Sequence, residues 1–471
     1  MISAAIRDSY DVAIIGAGPA GLAAATLCAK AGLSTVLFDE QASVGGQIFR
    51  AIEETPVTDK RVLGASYWRG TDLARAFRAS GAQYVPEATV WSLTREREIG
   101  VSLHGGSALT VARRAVICTG ALERPFPIPG WTLPGVMSAG AAQILLKSAG
   151  LLPAGRTVLA GCGPLLWLIA WQYLNAGAQL SALLDTTPAE NRARALPHLL
   201  PFLFSGYFRD GMKLLRAVKR KVSVIAGITS LRAIGEDRVT HVEYRRGNGV
   251  VQRLPVDNLF LHQGVAPNVN LAMSVGIEHR WSDEQLCWVP VLDAYGNSSI
   301  DGIAIAGDGA GIAGAQAAEW RGRLAAIAAA RALGRGFPDP GETHARDELA
   351  RCLRGRPFLD ALYRPAKVFR QPSGDTVVCR CEETTASQII DAIALGCPGP
   401  NQMKIFLRCG MGPCQGRLCG LTVTELIAEH RGLPPQEVGY YRLRPPVKPI
   451  TVGEVASLPK TDAAVYAVTR M

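Results

Sequence analysis

The chain has 471 residues, 48% apolar and 19% charged, which suits two or three domains with an ample core and excludes a largely disordered protein. Its net charge of +10 is dispersed, with only short clusters such as Lys219 to Lys221 and Arg245 to Arg246, so a nucleic-acid site, which needs a basic stripe interleaved with aromatics, is not expected. No run of 18 or more apolar residues occurs, and the N-terminus passes into a strand without an h-region or a twin-arginine pair; the expectation is a cytoplasmic protein, at most peripheral to the inner membrane, with no integral membrane segment.

The first unit runs from Asp11 to Glu40, DVAIIGAGPAGLAAATLCAKAGLSTVLFDE. A buried strand, Val12 to Ile15, leads into Gly16, Gly18, Pro19, Ala20 and Gly21, then an alanine-rich helix, then a second strand ending in Asp39 and Glu40. The first glycine permits the tight turn, the second lets a pyrophosphate approach the backbone, and the third lets helix and strand pack closely. Unpaired N–H groups and the positive dipole at the helix start face the phosphates. Asp39, 23 residues after Gly16, is placed to accept from ribose hydroxyls. A glycine triplet alone is weak, but strand, glycines, helix, strand and acid in that order is strong.

Three further stretches bear on the cofactor. Gly45, Gly46 and Gln47 follow the acidic strand; AVICTGA, with Thr119 and Gly120, forms a strand and turn; IDGIAIAGDGAG puts Gly307 and Asp308 at a later strand end. These resemble the flavoprotein family of thioredoxin reductase. The resemblance implies FAD, with the Asp308 carboxylate on a ribityl hydroxyl, and a FAD domain split by an insertion. Within the insertion, TVLAGCGPLLWLIAWQYLNAGAQLSALLD, Thr157 to Asp185, repeats the nucleotide pattern with Gly161 and Gly163, but Leu166 stands where the third glycine belongs. That leucine argues against NAD(P), and Asp185 disfavours a 2′-phosphate; a relic fold and a site for another adenine nucleotide, NAD or ATP, both remain open. GVAPN, Gly264 to Asn268, resembles the junction at which the family's insertion returns to the FAD domain.

Cysteines are concentrated near the C-terminus. Cys379 and Cys381 are separated by one residue in VCRCEE, and after 32 intervening residues Cys414 and Cys419 stand in GMGPCQGRLCG beside Gly410, Gly412 and Gly416. A [2Fe-2S] cluster needs four thiolates, with backbone N–H donors that a glycine-rich loop supplies to its sulfurs. Structural zinc pairs usually leave two to four residues between ligands, which fits a one-residue gap poorly. Cys409 is a fifth candidate that could replace Cys419. The stretch resembles the ferredoxin-like domain named after bacterioferritin-associated ferredoxin, in which CxC is followed a little over thirty residues on by a second pair.

No vicinal cysteine pair lies near the flavin motifs: Cys28, Cys118 and Cys162 are lone thiols in apolar settings and read as inert. The seven histidines show no HxH or HExxH spacing, His262 reads as structural, and no Ser/His/Asp or paired-carboxylate constellation emerges, so the catalytic residues are unknown. Flavin electrons must leave by another route, which the cysteine domain offers.

The expected fold is α/β, with two Rossmann-like dinucleotide-binding domains and a small C-terminal [2Fe-2S] domain. Its parts are a split FAD domain (1–125 and 290–340), an inserted nucleotide domain (126–289), a connector (341–371), the cysteine domain (372–435) and an extended Pro-rich tail (436–471) lying across another domain or a partner. Almost the whole chain resembles the alpha subunit, with FAD and [2Fe-2S], of bacterial heteromeric dye-linked amine and amino-acid dehydrogenases. The resemblance implies a flavoprotein beta subunit that oxidises the C–N bond, a small third subunit, an electron acceptor, and in several members an FMN at the subunit interface. An NADH-dependent reductase and a mainly structural scaffold are the alternatives.

Overall fold

The computed structural model describes residues 6–336 and 341–459. Residues 1–5 and 337–340 of the expected FAD domain and 460–471 of the expected tail lie outside the described residues.

β1 (Ser9–Ile15) and β2 (Thr35–Phe38) are buried along almost their whole length, as strands covered on both faces must be. With β3 (Gln83–Val85), β4 (Thr89–Leu93), β5 (Glu98–Leu103) and β6 (Gly106–Ile117) they form a sheet in the order β3-β2-β1-β6-β5-β4. The strand Ile303–Ile305, almost 200 residues further on, pairs in parallel with the end of β6. The FAD-type sheet is therefore assembled from two distant stretches. Small residues bring its covering helices close: a Cβ added to Gly322, in helix Ala315–Ala332, would stand 2.1 Å from Ala20 O in helix Pro19–Lys30.

The second sheet has five strands, all parallel, in the order Val224–Ala226, Leu180–Asp185, Thr157–Cys162, Asn258–Gln263, Val136–Ser138. A two-stranded link, Ala121–Glu123 against Val265–Pro267, carries the chain into this unit and back. Packing argues for a return at that link rather than at 290, because Leu271, Ala272, Val275 and Ile277 share a core with β1 and β6. On the other side of β1 a continuous apolar core runs from Val12 and Ile14 to Leu159, Leu166 and Trp167 of the second unit.

The cysteine domain packs helices Ala386–Ala394, Pro400–Leu407 and Gly420–Arg431 around Ile389, Met403, Val423 and Leu426. The first helix opens on a reciprocal cap between Thr385 and Gln388. Glu425, 3% exposed, fixes the domain to its neighbours by pairing with Arg370 and, at 3.9 Å, with Arg124. Beyond it the chain crosses the first sheet, where Val447 is buried in the β1–β6 core and donates its N–H to Trp91 O at 2.9 Å.

Candidate functional site

Register places the first-unit motifs at one edge. Ile15, Phe38, Ile117 and Ile305 are aligned at the carboxyl ends of four neighbouring parallel strands. The residues that follow them are Gly16, Asp39, the turn Cys118-Thr119-Gly120, and Gly307-Asp308. Ligands of open α/β sheets bind in the crevice outside these ends.

The cradle is built by absent side chains. A Cβ on Gly16 (φ +108°) would meet Cys118 O at 2.5 Å, and one on Gly21 would meet Gly16 O at 1.9 Å. Gly18 differs, because its Cβ would meet nothing nearer than Gly46 Cα at 4.0 Å, which is the open approach a pyrophosphate needs. Pro19 and Ala20 open the helix, and no side chain caps it. Gly45 N–H donates to Ala17 O at 2.8 Å, which sets Gly46 and Gln47 against the glycine turn. A Cβ on Gly120 would stand in open space, and Thr119 Oγ1 donates to Asn268 O at 3.3 Å. Asp308 Oδ1 accepts from the N–H groups of Ala313 and Gly314, both at 2.9 Å, while Arg321 donates to Gly307 O at 3.0 Å. A dinucleotide such as FAD fits this cradle.

Both carboxylate oxygens of Asp39 are engaged by the backbone. Its Oδ2 accepts from Ala17 N–H at 2.5 Å and its Oδ1 from Gln41 N–H at 2.8 Å, and burial raises its pKa against those two bonds. It locks the turn, whereas the neighbouring Glu40 stands half-exposed with Lys448 Nζ 2.7 Å from its Oε1. Lys147, which sequence reasoning missed, is 2% exposed and holds the loop after this strand by donating to Gln47 O, Ile48 O and Gln143 Oε1 at 3.2, 3.0 and 2.9 Å. Burial lowers its pKa to about 7. A lone lysine in an apolar-looking helix gave no signal of that role.

The second cradle is crowded. Leu166 is fully buried, a Cβ on Gly161 would meet His262 O at 1.7 Å, and one on Gly163 would meet His262 Nε2 at 3.3 Å. His262 Nδ1 bonds Glu123 Oε1 at 2.6 Å, and Glu123 in turn accepts from Gly140 N–H at 2.9 Å. Tyr363 of the connector lies against the loop, with its carbonyl 3.6 Å from Cys162 Sγ. Asp185 Oδ1 accepts from the N–H and hydroxyl of Thr187. Cys28 and Cys162 are both pushed up to about 12 by burial, as inert thiols are.

At the C-terminus the Sγ atoms of Cys379, Cys409 and Cys419 lie within 4.8 Å of one another, all buried. Cys381 and Cys414 are partly exposed neighbours of each other. Of the four expected ligands, Cys379 and Cys419 thus share the close group with Cys409, while Cys381 and Cys414 pair with each other outside it. Hydrogen bonds from Cys409 and Cys419, and N–H groups of Gly410 and Glu382, hold Cys379 down to about 2, while the same shared bond with Cys379 pushes Cys409 up to about 12. Three buried thiols within 4.8 Å of one another are the donor chemistry of an iron–sulfur or zinc centre. Tyr440 and Tyr441, which stand in the sequence at the start of the Pro-rich tail, pack their rings into this loop.

No helix among the described residues is long and apolar enough to cross a membrane. Residues 10–332 match the pyridine nucleotide-disulphide oxidoreductase family, and residues 373–458 match the sarcosine oxidase A3 domain. The chain is 48% identical to an opine oxidase subunit of Agrobacterium tumefaciens over 98% of this chain and 95% of that one. It is 32% identical to the hydrogen cyanide synthase subunit HcnB of Pseudomonas aeruginosa over 93% and 96%. L-proline dehydrogenase from P. horikoshii shares the fold, with a TM-score of 0.69 at 19% identity over 95% of this chain and 79% of that one. The chain is an oxidoreductase and belongs to the family that contains these opine oxidase and HcnB subunits.

Proposed function

We propose that this chain is the electron-transferring subunit of a heteromeric dehydrogenase or oxidase whose substrate is an amine or amino acid of the opine, D-hydroxyproline, proline or glycine type. In this reading a partner flavoprotein subunit oxidises the substrate C–N bond. FAD is held by Gly16, Gly18, Gly21, Gly46 and Asp308, with Glu40 on the ribose. A [2Fe-2S] cluster is held by Cys379, Cys381, Cys414 and Cys419. When bound, the flavin exchanges electron pairs and the cluster carries single electrons. The chain's own residues bind and orient these groups and keep water from the buried thiols.

The observation that carries this reading is the direct tie between the two sites. Asn270 follows the return strand Val265–Pro267, whose neighbour Asn268 bonds the Thr119–Gly120 turn, and its Nδ2 donates to Gln415 O, next to Cys414, at 2.9 Å. A chain that links a dinucleotide cradle to a thiol cluster is suited to carry electrons between them.

The test uses the chain expressed alone, with full flavin and cluster content. Mixed anaerobically with proline, hydroxyproline, sarcosine, glycine and opines, it is expected to keep its flavin band. Rapid bleaching by one of them without a second polypeptide would make this the substrate-oxidising subunit.

A further inference from the structure

Two tyrosines of the C-terminal segment enter the cysteine loop through slots left by glycines. A Cβ on Gly410 (φ +91°) would stand 2.4 Å from Tyr441 Cζ, and one on Gly416 (φ +77°) 2.5 Å from Tyr441 Cδ2. A Cβ on Gly420 would stand 2.2 Å from Tyr440 Oη. Gly410 and Gly416, expected from the sequence to present N–H groups, thus also make room for the Tyr441 ring. The slots are specific: Tyr441 is 2% exposed, and its hydroxyl oxygen lies 3.5 Å from both Cys409 Sγ and Cys419 Sγ. Ring contacts continue outward, from Tyr441 to Tyr440 at 5.7 Å and from Tyr440 to Trp288 at 6.5 Å.

We propose that Tyr441 donates its hydroxyl hydrogen to the iron-ligating thiolate at Cys419 or Cys409 and thereby sets the reduction potential of the cluster. The proposal rests on the reading of these cysteines as a [2Fe-2S] site. A phenol has one hydrogen to give, and a thiolate on iron accepts it more strongly once an electron has been added, because the added negative charge spreads onto sulfur. The bond therefore stabilises the reduced state more than the oxidised one and raises the potential. Burial strengthens the effect by keeping water from competing for the same sulfur. Tyr441 is a positioning residue, since it touches a ligand and not the metal.

Tyr441→Phe keeps the ring in its slot and removes only the hydroxyl. In a redox titration of the purified chain, read by the EPR signal of the reduced cluster, the reduced-to-oxidised ratio at a fixed potential is expected to fall about tenfold, the scale of one hydrogen bond to a charged group, with iron and acid-labile sulfide unchanged. For a one-electron couple that is a midpoint about 59 mV lower. Tyr440→Phe should leave the midpoint in place. An unchanged midpoint in Tyr441→Phe overturns the proposal while the cluster reading stands. Absence of labile sulfide and of the EPR signal in the wild-type chain removes the cluster reading and the proposal together. Should Tyr441→Phe lose its cluster, the wild-type chain still decides: its iron–thiolate stretching bands in resonance Raman shift in D2O if the bond exists, and bands that do not move overturn it.

Discussion

Lys448 Nζ lies 2.7 Å from Glu40 Oε1, joining a residue beyond the cysteine loop to the end of the first nucleotide unit's second strand, 408 positions earlier. The pair matters because Asp39, the acid that spacing singles out, has both oxygens occupied by backbone N–H groups. In the proposed reading Glu40 is the carboxylate that meets the ribose, with Lys448 of the C-terminal segment beside it.

Glu40→Ala is therefore expected to weaken flavin retention by roughly 10-fold or more, the scale of a lost hydrogen bond to a charged group, with the fold intact. Lys448→Ala should cost under about 1 kcal/mol of stability, since the pair is partly exposed. Asp39→Asn should lower the thermal midpoint first, by disturbing the turn at Ala17. Released flavin, quantified by chromatography beside a melting curve, separates the two acids; equal flavin loss with an unshifted melt in Asp39→Asn would reverse their roles.

Single Ser replacements at Cys379, Cys381, Cys414 and Cys419 should abolish or sharply shift the EPR signal of the dithionite-reduced chain, whereas Cys409→Ser should be milder. The thiols of Cys409 and Cys419 are equally close to Tyr441, so the fourth ligand is chosen between neighbours. A silent Cys409→Ser variant beside a normal Cys419→Ser variant would give the place to Cys409. Zinc without labile sulfide would replace the cluster altogether.

Lys147 links stability to pH. Burial lowers its folded pKa to about 7 from the ordinary 10.5, so between those values the unfolded chain binds a proton that the folded chain does not. Stability contributed at this site thus rises with pH from about 7 to about 10.5, by at most ~1.4 kcal/mol per pH unit, and is flat below. Lys147→Met removes the slope, and the difference in unfolding midpoint between the two proteins should widen in favour of wild type between pH 7.5 and 9.5 (about two units within this window). Parallel pH profiles would show that the ammonium stays charged.

The second nucleotide cradle should not admit NADH. Leu166 is buried in the core, His262 sits against Gly163, and the Tyr363 carbonyl closes on Cys162. Anaerobic NADH is expected to leave the flavin of the isolated chain oxidised; stoichiometric bleaching would favour the self-sufficient reductase.

Much of this was legible in local sequence. The first glycine unit and the Gly307–Asp308 turn could be placed because tight backbone contacts restrict residue types there, as Gly16 and Gly21 make plain. Cysteine spacing marked the C-terminal thiols, of which Cys379 and Cys419 meet Cys409 in the fold. What stayed hidden depends on long-range contacts that no short window contains. Spacing marks Asp39 as the acid at the strand end, and only the fold shows its carboxylate turned toward Ala17. Lys147 and Tyr441 owe their roles to partners about 100 and 22 to 32 residues away. The domain return was marked by GVAPN, and packing adds that Leu271, Ala272, Val275 and Ile277 already belong to the first core, ahead of the acidic strand-end motif.

In the proposed reading, electrons reach this chain from another subunit. The most direct measurement is rapid freeze-quench EPR of the chain copurified with its flavoprotein partner, mixed anaerobically with the substrate that the complex turns over. The reduced-cluster signal is expected to grow within a turnover in the complex and to be absent when the Cys379→Ser chain replaces the wild type. Full-speed turnover to the acceptor with the cluster left oxidised, or with the cluster removed, would contradict it.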